Sequence, residues 1–230
     1  MTAAGGNDTG GIAIVVKTPR RSPVKTRLAA CIGQQRAEDF YRLSLKAIQA
    51  TVTAFIRDRA PGWAACWAVA EADAVDDPVW SGLTSTYSGP GALGERLHRL
   101  YDTLRRRHGA ACLLGGDSPQ LTPEHLDAAR RAATAQAVAI GPAHDGGFYL
   151  FLGSRPLPGD VWTQTPYGGD DTLARLRARV TAAGADVADL VALTDADVAD
   201  DLARLVAEMP ADASPEQRRL VDWIVAEGLG

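Results

Sequence analysis

The sequence has no Cys-x-x-Cys pair: Cys31, Cys66 and Cys112 lie far apart. That argues against a zinc ribbon or a dithiol redox centre and for three reduced core thiols in apolar settings. No apolar run approaches the ~18 residues of a membrane span, and the first ten residues are small and polar, without the hydrophobic region of a secretory signal. The expected location is therefore the cytoplasm. Dense basic runs are missing too. With a formal charge of −4 over 230 residues, nucleic acid and membrane surfaces are poor partners, although a local cationic cluster can still hold phosphate. His98, His108 and His125 fall on expected helices and His144 in a loop, so no two histidines share the spacing of zinc ligands. Repeats and interdomain linkers are also lacking. The length suits one domain, expected over 11–230 after a flexible segment at 1–10, and nothing in the pattern specifies an oligomeric state.

What is there centres on Ala110 to Leu121. Five apolar residues, too few for a helix, run into Gly115-Gly116 and then Asp117, the pattern of a buried strand ending at a turn. A helix restarts at once, with Thr122 as N-cap, Pro123 at the first helical position and Glu124 at the positive end of the dipole. In an open α/β sheet ligands sit beyond the carboxyl ends of the strands, which puts Asp117 where chemistry is done.

Gly11 to Lys17 reads as a first strand buried on both faces. Beyond it, Thr18 to Arg27 is too proline-punctuated for regular structure. Counting Lys17, five cations fall within eleven residues, suited either to a solvated loop or to a phosphate-gripping one. A long helix follows from Gln34, patterned by Ala37, Tyr41, Leu45, Ile48, Val52 and Phe55, then a second strand from Trp63 to Ala70. Trp63, Trp67 and Trp80 suit core or lid packing better than a base-stacking platform. After an acidic irregular segment, a short strand at 84–88 and a helix opening on Gly94-Glu95-Arg96 are expected. Glu95 and Arg96 are either an exposed first-turn pair or contacts to a ribose, a base or the basic loop.

Another strand is expected at 135–141, and Asp145-Gly146-Gly147 then turns the chain into an apolar strand, the glycines permitting close approach to a ligand. The Pro/Gly-rich stretch 154–169 is long enough for a lid. A helix at 170–180, a terminal strand at 186–193 and two helices complete the chain. The last helix opens on the capping box Ser214-Pro215-Glu216-Gln217. Asp200 and Asp201 read as first-turn carboxylates, whereas Asp195 and Asp197 straddle a strand-helix junction.

This alternation predicts an α/β fold with a mostly parallel sheet covered on both faces. Three features then meet on one rim: the cationic loop, Asp117, and Asp195 with Asp197. Separated carboxylates opposite lysines and arginines suit Mg²⁺ or Mn²⁺ clasping a nucleoside di- or triphosphate.

Five motifs in one order carry a resemblance: Lys17 with Val24-Lys25-Thr26-Arg27-Leu28, Leu93-Gly94-Glu95-Arg96-Leu97, Gly116 to Pro123, Gly141 to Leu150, and Asp195-Ala196-Asp197. The order resembles the bacterial glycosyltransferase-like family of the nucleotide-diphospho-sugar transferase superfamily, related to 2-phospholactate and phosphoenolpyruvate guanylyltransferases. The resemblance spans about residues 11–206. It implies a GT-A-like three-layer sandwich with a Rossmann-like sheet, a nucleotide-activated substrate (NTP or NDP-sugar), a small-molecule acceptor and a divalent metal. It assigns Asp117, Asp197 and Asp195 to the metal, and Lys25, Arg27 and Asp117 to catalysis. Lys17, Lys25, Thr26, Arg27, Glu95 and Arg96 go to the nucleotide and its phosphates, and Ser118, Asp145, Gly146 and Gly147 to the acceptor side. Ser118 reads as a turn hydroxyl, not a nucleophile. Val198-Ala199-Asp200 replaces the family's usual Thr-Pro-Glu, so the second metal aspartate is expected to lack its cap. The expected activity is nucleotidyl transfer with release of pyrophosphate. Glycosyl transfer from an NDP-sugar and non-catalytic nucleotide binding are the alternatives.

Overall fold

The computed structural model describes residues 8–230. Residues 1–7, within the segment expected to be flexible, lie outside the described residues, and Gly10 already begins the first strand.

The chain alternates strand and helix: β1 (Gly10–Val16), α1 (Thr26–Ile32), α2 (Gln34–Asp58), β2 (Trp63–Val69), β3 (Thr84–Tyr87), α3 (Leu93–His108), β4 (Ala111–Gly115) and α4 (Pro123–Ala132). Then come β5 (Ala137–Pro142), β6 (Phe148–Gly153), α5 (Gly159–Thr163), α6 (Thr172–Ala182), β7 (Asp186–Asp189), α7 (Ala199–Ala207) and α8 (Pro215–Ala226). Seven strands form one sheet in the order β3-β2-β1-β4-β6-β5-β7. Only β6 runs antiparallel, against both β4 and β5. The expected mostly parallel α/β sandwich is the fold observed.

β1 and β4 lie centrally and are apolar throughout because both sheet faces are covered. Ile12, Ile14 and Val16 of β1 join the core under α2 and α4, while Ala13 faces the opposite core under α3 and α6. Cys112 and Leu114 against Ala111 and Leu113 repeat the alternation in β4, as the two-residue period requires. A third core, of Leu28, Ala37, Phe40, Ala196, Leu202, Leu205, Leu220 and Ile224, seats α1, α7 and α8 on the outer side of α2. Trp63, Trp67 and Trp80 are core residues. Among the described residues no helix is long and apolar enough to cross a membrane.

Four expectations change. The basic stretch is not loop to its end: Thr26 opens α1, whose Leu28 is fully buried, and this apolar anchor outweighs the poor helix signal of the prolines before it. The 154–169 stretch is no free lid. Its Trp162 is fully buried against Tyr101 and Phe151, and Arg155 O accepts from Tyr101 Oη at 2.7 Å. A Cβ at Gly94 would meet Trp162 O at 2.4 Å, so α3 docks on the stretch through glycine. Cys31 is exposed, on a face of α1 turned from the core, whereas Cys66 is half-buried and Cys112 buried; all three are free thiols. The last strand is also shorter than expected, β7 ending at Asp189 with one bridge between Ala143 and Leu193 beyond it.

Candidate active site

The ends of β1, β4, β5 and β7 and the start of β6 share one rim because β6 alone is reversed. A cavity of about 590 Å³ opens there, within the roughly 300–1,000 Å³ typical of small-molecule sites. Its wall includes Lys17, Lys25, Thr26, Arg27, Arg96, Asp117, Asp145, Gly147, Asp195 and Asp197, with Tyr41, Tyr149 and Tyr167 among the neighbours.

Lys25 is at the centre. Its Nζ lies 2.9 Å from Asp117 Oδ1, 2.8 Å from Asp195 Oδ1 and 3.4 Å from Asp197 Oδ1, and its side chain is 3% exposed. Arg27 Nη1 reaches Asp197 Oδ2 at 3.3 Å. The lysine backbone is left-handed, φ 48°, an uncommon state for a residue with a Cβ. It directs the side chain inward at the head of α1 while buried Val24 and Leu28 pin the chain on either side. Burial alone would pull the Lys25 ammonium down, but the three carboxylates more than offset it and hold the group well above its usual value. Asp195 shows the converse. Burial and the charge of Asp117 push its carboxyl up to about 7 against the pull of Lys25.

Local structure explains how the aspartates arrive. Asp117 lies two residues beyond the end of β4. Ala196, fully buried in the third core, anchors the peptide between Asp195 and Asp197. The cap expected to be missing is supplied from inside the helix: Asp201 Oδ2 accepts from the amides of Asp197 and Val198, each at 2.9 Å. The first turn of α7 thus fixes Asp197 without the Thr-Pro-Glu sequence.

The other expected site residues divide between the wall and positions away from it. Glu95 caps its own helix, accepting from Ala92 N at 2.7 Å, and is not part of the cavity wall, whereas Arg96 is. Ser118 is buried and does not line the cavity, and among the described residues its hydroxyl has no hydrogen-bond partner, so no base is bonded to it as a nucleophile would need. Gly146 has φ 88°, and a Cβ there would strike the Asp170 backbone at 1.9 Å. Its missing side chain therefore makes room for the head of α6, and Gly147 is the one of the pair that faces the cavity. Asp145 Oδ1 accepts from Gly147 N at 2.9 Å and shapes that turn.

The outer half of the basic loop also turns away. Glu71 accepts from Thr18 N at 2.9 Å, Thr18 Oγ1 at 2.7 Å and the Ser22 hydroxyl, so a carboxylate of the chain itself already occupies this amide and these hydroxyls. Arg21 pairs with Asp73 at 2.6 Å and Arg20 with Glu38 at 3.7 Å. Among the described residues, the side chains of Lys17 and Arg96 have no carboxylate partner and both line the cavity. The sequence did not flag Glu71, or Tyr41 as anything but core, whereas Gly168 and Gly169 of the wall end the stretch expected over the site. Glu71 was hidden in an acidic stretch where no single carboxylate stands out.

Among the described residues no three His, Cys, Asp or Glu groups stand ready as a metal site; the three carboxylates that do converge surround an ammonium. Their chemistry, hard carboxylate oxygen, suits Mg²⁺ or Mn²⁺, and Asp117, Asp195 and Asp197 are the residues that could hold such an ion.

The doubly wound sheet with its rim cavity is the fold of the nucleotide-diphospho-sugar transferase-like proteins. It superposes on a candidate nucleotide-diphospho-sugar transferase from Desulfovibrio desulfuricans G20 with a TM-score of 0.78 and 24% identity, over 94% of this chain and 95% of that one. The CTP complex of CMP:2-keto-3-deoxy-manno-octonic acid synthetase is similar at TM-score 0.50 and 14% identity, over 85% of this chain and 96% of that one. Residues 51–169 match the model of a family described as "Uncharacterized protein conserved in bacteria (DUF2064)", and the chain belongs to that family. No curated protein matches it.

Proposed function

We propose that the cavity joins a nucleoside triphosphate to a small phosphorylated or carboxylate acceptor. The observation that carries this reading is the gathering of Asp117, Asp195 and Asp197 around buried Lys25, at the rim where such sheets bind ligands. In the reaction an acceptor oxygen forms a bond to the α-phosphorus, and the bond from that phosphorus to the bridging oxygen breaks. Pyrophosphate leaves with the electron pair.

Lys17, Lys25, Thr26 and Arg27 hold the phosphates, and Arg96 serves the nucleotide or the acceptor from across the cavity. Asp145 and Gly147 form the acceptor side. Bound at Asp117, Asp195 and Asp197, Mg²⁺ or Mn²⁺ would neutralise charge growing on the departing phosphate. For that role Lys25 must exchange its three carboxylates for phosphate oxygens, which a polyanion in the cavity favours because each exchange keeps the buried ammonium paired. The neighbour's name, CMP:2-keto-3-deoxy-manno-octonic acid synthetase complexed with CTP, is in keeping with nucleotidyl chemistry on this fold. That of the Desulfovibrio protein is in keeping with the second reading, transfer of a sugar from an NDP-sugar. A kinship with the 2-phospholactate guanylyltransferases belongs to the same proposal, as does a cytoplasmic location.

Pyrophosphate release with each common NTP, Mg²⁺ and a panel of small phosphorylated or carboxylic acids tests the first reading. NDP release from sugar nucleotides instead would establish the second. Nucleotide binding without either product, unaffected by chelator, would overturn both in favour of a non-catalytic nucleotide-binding protein.

A further inference from the structure

Glu208 is the C-cap of α7, where a negative charge opposes the helix dipole. Its partners explain its placement. Glu208 Oε2 accepts from Thr194 N at 2.9 Å and from Gln120 Nε2 at 2.9 Å, and Oε1 accepts from Thr194 Oγ1 at 2.7 Å. His144 Nε2 is 3.5 Å from the same Oε1. Gln120 is fully buried and donates from Nε2 a second time, to Thr194 O at 2.8 Å. Both of its neighbours are acceptors, so the amide nitrogen must face them.

Each of the three segments that meet Glu208, two by hydrogen bonds and the third by the His144 contact, carries an aspartate of the cavity. Gln120 is three residues from Asp117, Thr194 immediately precedes Asp195, and His144 immediately precedes Asp145. None of Glu208, Gln120, Thr194 and His144 lines the cavity itself. We propose that Glu208 is a positioning residue: from behind the cavity it braces the loops after β4, β5 and β7, and so sets the separation of the aspartates that they carry. The brace is a matter of loop geometry, while its bearing on metal and catalysis rests on the transferase reading above.

Glu208→Gln keeps the size, loses the charge and turns one of the two acceptor oxygens into an NH₂ donor. Amide hydrogen exchange of the metal-free full chain should then quicken together in 115–121, 143–147 and 193–198, with β1 and α2 unchanged. Mn²⁺ binding in the presence of nucleotide, followed by electron paramagnetic resonance, should weaken about 10-fold or more, as loss of an outer partner typically does, and excess Mn²⁺ should restore turnover. Thr194→Val should give the same pattern more weakly, and Thr194→Ser, which keeps the hydroxyl, should match the parent. Thr194→Val decides the matter if Glu208→Gln does not fold. Exchange that quickens in one loop only or throughout the chain overturns the proposal, as does Mn²⁺ affinity equal to the parent's. A parent that binds no Mn²⁺ overturns the metal reading instead, and the exchange pattern then decides the brace alone.

Discussion

Lys25 Nζ stands 2.8 Å from Asp195 Oδ1 although 170 positions separate the two residues in the chain. The contact joins the head of α1 to the segment before α7, and two further carboxylates share the same ammonium. Replacing that cation leaves three carboxylates facing one another. Lys25→Met should cost about 3 kcal/mol at pH 8, the low end for breaking a buried pair, because Asp117 keeps contact with water. Asp195 already has its carboxyl pushed up to about 7. A folded pKa above the unfolded one makes the native state the stronger proton binder between about 4 and 7, so stability falls as pH rises through that window. Without the lysine the effect grows, and the deficit of Lys25→Met should shrink on going from pH 8 to pH 5, read by urea unfolding at both values.

The same substitution separates ligands. If Lys25 passes from carboxylates to phosphate oxygens, Lys25→Met should weaken triphosphate binding by about tenfold or more and monophosphate binding far less, as measured by calorimetry. Equal losses would remove Lys25 from the polyphosphate contact.

Asp117→Asn removes a charge at constant volume. Turnover should drop by more than the roughly 10–100-fold typical of an outer-sphere metal partner, while far-ultraviolet dichroism stays unchanged. Undiminished pyrophosphate release would exclude Asp117 as an essential ligand.

Trp162 anchors the 154–169 stretch in the core, so the stretch is not a free lid. Trp162→Ala should cost roughly 3–5 kcal/mol, a fall in melting temperature of about 2–4 °C for each kcal/mol in a chain of this size. A lid would instead let the substitution pass with little loss of stability.

Glu71 offers an acid-sensitive tie on the basic loop. Burial alone would raise its carboxyl, but hydrogen bonds from Ser22 and Thr18 outweigh that and hold it below the usual value. A depressed carboxylate contributes stability that is fully present above its unfolded pKa and is lost as pH falls through the folded one. The stability gap between the parent and Glu71→Gln should therefore be open at pH 7 and close in acid below about pH 4, by denaturant titration at each pH.

Much of the fold was legible because its signals are local. The apolar run of β4, the Thr122-Pro123 start of α4 and the capping box at Ser214 need only neighbours along the chain, and Thr122 and Ser214 do accept from His125 N and Gln217 N. α1 was missed because its seven residues carry one decisive side chain, Leu28, which joins a core that α2, α7 and α8 also build. Glu95 was placed at a ligand for a related reason. A first-turn glutamate reads alike whether it caps its helix or faces a nucleotide, and only the 2.7 Å contact with Ala92 N decides.

By itself the sequence determined the order of the strands and of the longer helices, the parallel character of the sheet and the rim on which Asp117, Asp195, Asp197 and the lysines fall, since periodicity and chain connectivity act at short range. Tertiary structure alone decided that Lys25 lies among the carboxylates, that Glu71 draws the outer basic loop aside and that Glu208 ties three loops together. Such pairings join residues far apart in the chain, and which opposite charges meet depends on burial and distance, quantities that exist only once the layers have packed.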